Sequence, residues 1–123
     1  MSKQRAKGTS FETAIVRYLQ ENGFQYAERR ALHGEADKGD ITGTPGLAWE
    51  CKNHKTLKIS EWIRETEQER INAKAEYGFL IVKRAGVGNP GEQYAMMTLD
   101  QLCRLLGDAG YGKREDNERP LEY

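Results

Sequence analysis

Gly39-Asp40-Ile41-Thr42-Gly43-Thr44-Pro45-Gly46-Leu47-Ala48-Trp49-Glu50-Cys51-Lys52 is the stretch whose reading decides the fold. Its middle, Thr42-Gly43-Thr44-Pro45-Gly46, separates two apolar runs, and Gly and Pro in that position mark a turn. The stretch therefore predicts two short strands lying side by side. That arrangement brings the Asp40 and Glu50 carboxylates together at the end of a sheet, with the Lys52 ammonium beside them. Side chains alternate along a strand, so Glu50 and Lys52 leave one face while Trp49 and Cys51 leave the other. Clustered carboxylates suit a hard cation such as Mg2+. A lysine next to that ion activates or orients a water, or steadies developing charge on a phosphate. The combination points to phosphodiester chemistry. The plainer alternative leaves Asp40 in a turn, with Glu50 and Lys52 solvated on an exposed strand face.

Upstream, residues 9–22 carry Phe11, Ile15, Val16, Tyr18 and Leu19 within one broad arc at about 100° per residue, which predicts an amphipathic helix. Glu12 falls inside that arc, between the directions of Leu19 and Val16. Thr13, Arg17, Gln20 and Glu21 take the opposite side. A carboxylate on a core-facing stripe is costly unless it is paired or binds metal, so Glu12 becomes a third candidate ligand. Thr9-Ser10-Phe11-Glu12 also fits a capping box, in which Glu12 folds back to its own N-cap. Both readings stay open at this point.

Lys7-Gly8 followed by Glu12, then Gly23-Phe24, Asp40 and Glu50-Cys51-Lys52, resembles the PD-(D/E)XK nuclease superfamily. The likeness is closest to the archaeal-type Holliday-junction resolvases and their phage relatives, and it spans residues 7–106. It implies an α/β chain with a restriction-endonuclease-like core, ordered α-β-β-β-α-β, a mixed central sheet flanked by helices, and a C-terminal strand and helix. It further implies that Glu12, Asp40 and Glu50 hold Mg2+, with Mn2+ able to substitute, and that Lys52 is the catalytic cation. Gln68, on the second helix, is a possible accessory residue. The implied activity is divalent-metal-dependent, structure-selective cleavage of DNA, foremost resolution of Holliday junctions. A nickase, a flap or single-strand nuclease of the same superfamily, and a catalytically inactive DNA-binding module are the alternatives. Resolving a four-way junction takes two symmetric cuts, so a homodimer is expected, formed through the second helix or the C-terminal segment. The chain departs from the superfamily pattern at Gly39, where a proline is usual, and this predicts a looser turn.

At 123 residues, with 37% hydrophobic and 31% charged, the composition fits a single domain over 1–123. Residues 1–8 read as a basic arm and 108–123 as a polar, flexible tail. No apolar run reaches the length of a membrane span, and the basic N-terminus leads into an amphipathic helix rather than a signal sequence. Cys51 and Cys103 lack the spacing of a zinc site; Cys51 reads as a core residue and Cys103 as part of a C-terminal helix. A reduced, cytoplasmic protein is expected (the host cytoplasm, if phage-encoded).

The net charge is zero, from 19 basic and 19 acidic residues, so any affinity for DNA has to come from the distribution of charge. Lys3, Arg5 and Lys7 precede the first helix, and Arg29-Arg30 end the first strand. His33 lies in the loop before Asp40, while His54, Lys55 and Lys58 follow Lys52. Acidic residues gather instead in 61–76 and 114–122. Arg29, Arg30, Lys7, His33 and Lys55 are therefore the candidate phosphate contacts, which set register without reading sequence. His33 is equally readable as a plain loop histidine.

The remainder reads as scaffold. Residues 24–30 predict the first strand. Residues 60–76 predict the second helix, with Ser60 as N-cap and a core stripe of Trp62, Thr66, Ala73 and Tyr77. Phe79-Leu80-Ile81-Val82 within 78–83 predicts a strand buried on both faces, parallel to the strand before the helix. A turn at 86–91 leads to a short strand over 93–97 and a final helix over 99–106.

Overall fold

The computed structural model describes residues 2–31 and 36–112. His33 and residues 113–123 of the expected tail lie outside the described residues. Helix α1 (Lys3–Glu21) starts at Ser2, whose hydroxyl accepts from the Arg5 N–H at 3.1 Å. The helix thus begins earlier than expected, because Lys3-Gln4-Arg5-Ala6-Lys7 are good helix formers behind a well-placed cap. Lys3, Arg5 and Lys7 ride on the helix and do not form a free arm. Thr9 is inside it, accepting at its carbonyl from the Thr13 hydroxyl at 2.9 Å. A capping box at Thr9 is thereby excluded, and Glu12 sits well within the helix. Phe11, Ile15, Val16 and Leu19 form the buried stripe. The helix ends in a Schellman arrangement: Gly23 adopts φ 104°, and the Phe24 N–H donates back to the Leu19 carbonyl at 2.9 Å.

That ending shortens the next strand, since Phe24 and Ala27 spend their N–H groups on the turn. Strand β1 (Glu28–Arg29) pairs antiparallel with β2 (Ile41–Thr42), Arg29 opposite Ile41. The chain entering β2 reaches β3 (Leu47–Lys52) through one backbone–backbone hydrogen bond, from the Asp40 N–H to the Trp49 carbonyl at 2.7 Å. The expected side-by-side arrangement is present as this single link and not as a ladder. Strand β3 runs parallel to β4 (Tyr77–Val82), with Glu50 opposite Leu80 and Lys52 opposite Val82. Strand β5 (Tyr94–Met96) adds antiparallel to β4, giving a mixed three-stranded sheet in the order β3-β4-β5. The α/β class and the expected order of elements are both present.

Helix α2 (Ile59–Asn72) connects β3 to β4. Its N-cap position is Lys58, which supplies no side-chain cap, so Ser60 lies inside the first turn and not before it. It stops at Asn72 because Lys74 turns to φ 54°, which frees Tyr77 to open β4. Helix α3 (Leu99–Asp108) follows β5, capped by Thr98, with the exposed Cys103 on it. The α1 stripe covers Trp49, Cys51, Phe79 and Ile81 on one face of the sheet. Trp62 of α2 packs on Leu80 and Val82 on the other. Every residue of β4 is buried, as its continuous apolar run predicts. Beyond the end of β5, the Gln101 amide takes over the strand's role, accepting from Gly78 N–H at 3.0 Å and donating to Gly78 C=O at 2.6 Å. Leu99, Leu102 and Leu106 of α3 stay exposed.

Candidate metal centre

Alternation along β3 sends Trp49 and Cys51 into the α1 core and Glu50 and Lys52 towards α2. Glu50 is 4% exposed, and the Lys52 Nζ stands 3.2 Å from its Oε2. The same ammonium reaches Oε1 of Glu65 on α2, also at 3.2 Å, and lies 5.9 Å from the Trp62 ring centroid. Asp40 comes in from the side, its Oδ2 accepting from the Cys51 N–H at 2.8 Å. Glu12, half-buried on α1, binds the Arg29 Nε through Oε1 at 3.1 Å, and the charge of Asp40 reaches it.

Asp40 is aimed by Gly39. Gly39 adopts φ 98°, and a Cβ there would stand 2.7 Å from the Trp49 carbonyl oxygen. Proline fixes φ near −65° and could not take this position. Gly39 therefore gives a tightly held approach to Asp40, and the expectation of a looser turn is corrected. The Asp37 Oδ1 adds to this hold by accepting from the Gly39 N–H at 2.9 Å.

Three further carboxyl groups complete the cluster. Oxygens of Asp37, Glu65 and Glu69 lie within 4.8 Å of one another. Glu69 is 1% exposed, and no cation or N–H group meets its oxygens. Its neighbours are other carboxyl groups, those of Asp37, Asp40 and Glu50. Burial pushes Glu50 up to about 12, helped by Glu65 and Asp40. Burial likewise pushes Glu69 up to about 9, helped by Asp37 and Asp40. Glu12 is raised by burial and then by Asp40, against the pull of Arg29. Burial works against the Lys52 ammonium, but Glu50 and Glu65 outweigh it and hold the group above the usual lysine value.

The centre therefore sets six carboxyl groups (Glu12, Asp37, Asp40, Glu50, Glu65, Glu69) against two cations, Lys52 and Arg29. Without a further positive charge, burial and crowding disfavour the ionised forms of Glu50 and Glu69. A divalent cation with oxygen preference is the group that this donor set fits, because it would supply the missing counter-charge and meet the Glu69 oxygens.

Glu12, Asp40, Glu50 and Lys52 are thus brought together, and Arg29 joins them. Arg30 does not, because its side chain leaves the backbone away from that of Arg29. It lines a groove with Tyr26 and the 42–47 turn, its Nε buried without a partner. Lys7 and Lys55 line a different cavity, beyond the end of β3. Gln68 stays exposed on α2 and donates to Asn72, whose own amide donates to the Asp37 carbonyl at 2.7 Å. The helix reaches the cluster through Glu65 and Glu69 instead. Glu69 lies seven residues after Trp62 and three after Thr66, on the buried stripe, so the test that singles out Glu12 also singles out Glu69. Asp37 carries no periodic signal. No family model, curated protein or solved structure matches the chain.

Proposed function

We propose that this chain is a divalent-metal-dependent, structure-selective DNA endonuclease of the PD-(D/E)XK type, with a restriction-endonuclease-like core and a four-way junction as substrate. The observation that carries the reading is the convergence of Asp40, Glu50 and Lys52, with Glu12 of α1, beside the buried Glu69, whose oxygens meet no cation. Glu12, Asp40 and Glu50 would hold Mg2+, or Mn2+ in its place. A bound ion of this kind supplies polarisation of the scissile phosphate and a lowered pKa for the attacking water. Lys52, fixed between two carboxylates, orients that water or offsets charge on the phosphate as it becomes pentavalent. Arg29 is placed to exchange Glu12 for a phosphate oxygen, a contact that positions DNA without reading its sequence.

Two cuts in one junction need two such centres, so the active form is a homodimer working in the cytoplasm. The apolar residues left uncovered on α3 belong to the C-terminal segment considered for that contact. The reading is tested by cleavage of labelled four-way junction, nicked duplex, linear duplex and single-stranded DNA in Mg2+, with Lys52→Ala as control. Paired symmetric cuts in the junction, lost in the variant, are expected. Cleavage of another substrate, lost in the variant, keeps the centre and changes the substrate. No cleavage in Mg2+ or Mn2+ overturns the enzyme reading in favour of a binding module.

A further inference from the structure

Past Lys52 the chain runs through Asn53-His54-Lys55 along a cavity of about 720 Å3. Its cationic groups are Lys7 from α1, Lys55 after β3, and Lys83 and Arg84 after β4, with the His54 imidazole among them. Among the described residues, no Asp or Glu lines it. In a chain with 19 basic and 19 acidic residues, such separation leaves a positive groove beside a negative centre. The floor is apolar, formed by Leu57, Ile59, Val82, Met96 and the ring of Tyr94. Leu57 and Tyr94 are 55% and 52% exposed, so their apolar faces are open to the groove. The Arg84 guanidinium lies 4.7 Å over the Tyr94 ring and is anchored by donating to the Glu92 carbonyl at 3.1 Å. The ring is thus held in place with half of the residue still open. The His54 ring, 5.2 Å from that of Trp62, carries this surface back to the helix that packs beside Lys52.

Paired duplex offers a protein phosphates and groove edges, and gives an apolar floor nothing to contact. An unpaired nucleotide offers both a phosphate and a base face, which calls for cations around an aromatic or apolar platform. The volume is in the range of about 300–1,000 Å3 that small-ligand pockets occupy. We infer that this groove binds an unpaired nucleotide of the DNA strand entering the metal centre, its base against Tyr94 and Leu57 and its phosphates on Lys7, Lys55 and Lys83. The partner rests on the nuclease reading, in which the unpaired nucleotide of a four-way junction is one opened at the exchange point; the groove adds a selection among branched substrates for those with an unpaired nucleotide beside the cut.

The test is binding in EDTA, where no cleavage occurs, read by fluorescence anisotropy of a labelled blunt duplex and of the same duplex with a short oligo-dT overhang. The full chain binds the overhang substrate more tightly. Stacking of one base is worth about 1–3 kcal/mol, so Tyr94→Ala weakens overhang binding by about tenfold and leaves the blunt duplex within about twofold. Tyr94→Phe, which keeps the ring, retains overhang binding. If Tyr94→Ala does not fold by circular dichroism, Leu57→Ser gives the same discrimination. Equal affinity of the unaltered protein for both ligands overturns the inference, as does equal weakening of both by Tyr94→Ala. Lys52-dependent cleavage without overhang preference removes the groove and keeps the nuclease. Overhang preference without any cleavage in Mg2+ does the reverse.

Discussion

Lys52 is 3.2 Å from Glu50 and from Glu65, so removing its charge changes both the balance of the centre and any chemistry there. Lys52→Met keeps the length of the stem beside Trp62 and removes the ammonium. Cleavage is expected to fall by about a hundredfold or more, the usual cost of losing a group that stabilises transition-state charge. Thermal stabilisation by Mg2+ should persist, because the carboxylates remain. Loss of both would mean that Lys52 holds the centre together and does nothing further. Glu69→Gln makes the opposite case. It removes one acid from a cluster with too many, so folding no longer has to bring a proton to the buried position. The cation-free protein should then gain about 1 kcal/mol in urea denaturation, within the 1–3 kcal/mol scale of an unsatisfied buried group. The Mg2+-induced rise in Tm should shrink. A less stable Glu69→Gln protein would show that Glu69 has a partner after all. Asp40, Glu50 and Lys52 are legible in the sequence because a turn and an alternating strand dictate where they point. Glu12 is legible because an acid on an apolar stripe needs a reason. Glu69 meets that criterion too, but a stripe continued to Ala73 and Tyr77 passes it by, since Tyr77 belongs to β4 and the helix ends at Asn72.

Elements here are positioned by single residues at their ends. Gly39 is the clearest case, with its φ of 98° and a Cβ site 2.7 Å from the Trp49 carbonyl. Gly39→Ala should cost about 1–3 kcal/mol, the range for a side chain forced into sparsely populated backbone space, and should displace Asp40 enough to reduce cleavage. Gly8 supplies the contrast, lying in mid-helix with nothing within 4 Å of the place a methyl group would take. Gly8→Ala should therefore stabilise by about 0.5–1 kcal/mol. Denaturation curves that rank the two alike would refute the account of Gly39. At the far edge of the sheet, Gln101 satisfies both the N–H and the C=O of Gly78. Gln101→Leu keeps the bulk and orphans two buried backbone groups, for an expected loss of about 2–4 kcal/mol in urea denaturation. A loss under about 1 kcal/mol would mean that β4 does not depend on this amide. Element order follows from periodicity, which is why helices, strands and their sequence are readable in the chain. Element length is set by termini, and the Schellman ending at Gly23, the cap at Ser2 and the turn at Lys74 each move a boundary that periodicity alone does not see. Gln101 has no sequence signature, because its role exists only once β5 has ended beside it.

Across the whole molecule, a net charge of zero conceals two opposed regions, the carboxyl cluster behind Lys52 and the cationic groove ahead of it. The cluster makes stability depend on pH with a definite sign. Glu50 and Glu69 stand at about 12 and about 9 in the folded protein, against a carboxyl reference value of 4.5. Above pH 4.5 and up to about 9, the folded chain therefore holds more protons at these groups than the unfolded chain does. Stability of the cation-free protein falls as pH rises through that window. The stability associated with the two protons is complete only below the unfolded values. Saturating Mg2+ should flatten the slope, because ligation uses the deprotonated carboxylates and releases the protons whose loss is otherwise costly. The rise in Tm on adding Mg2+ is accordingly expected to be larger at pH 8 than at pH 6, and binding to release protons at both. Calorimetric titration in two buffers of different ionisation enthalpy measures that release directly. A cation-free Tm that climbs between pH 6 and 8, or a Mg2+ effect indifferent to pH, would mean that these carboxyl groups are neither proton stores nor ligands. The centre would then have to be sought elsewhere on the fold.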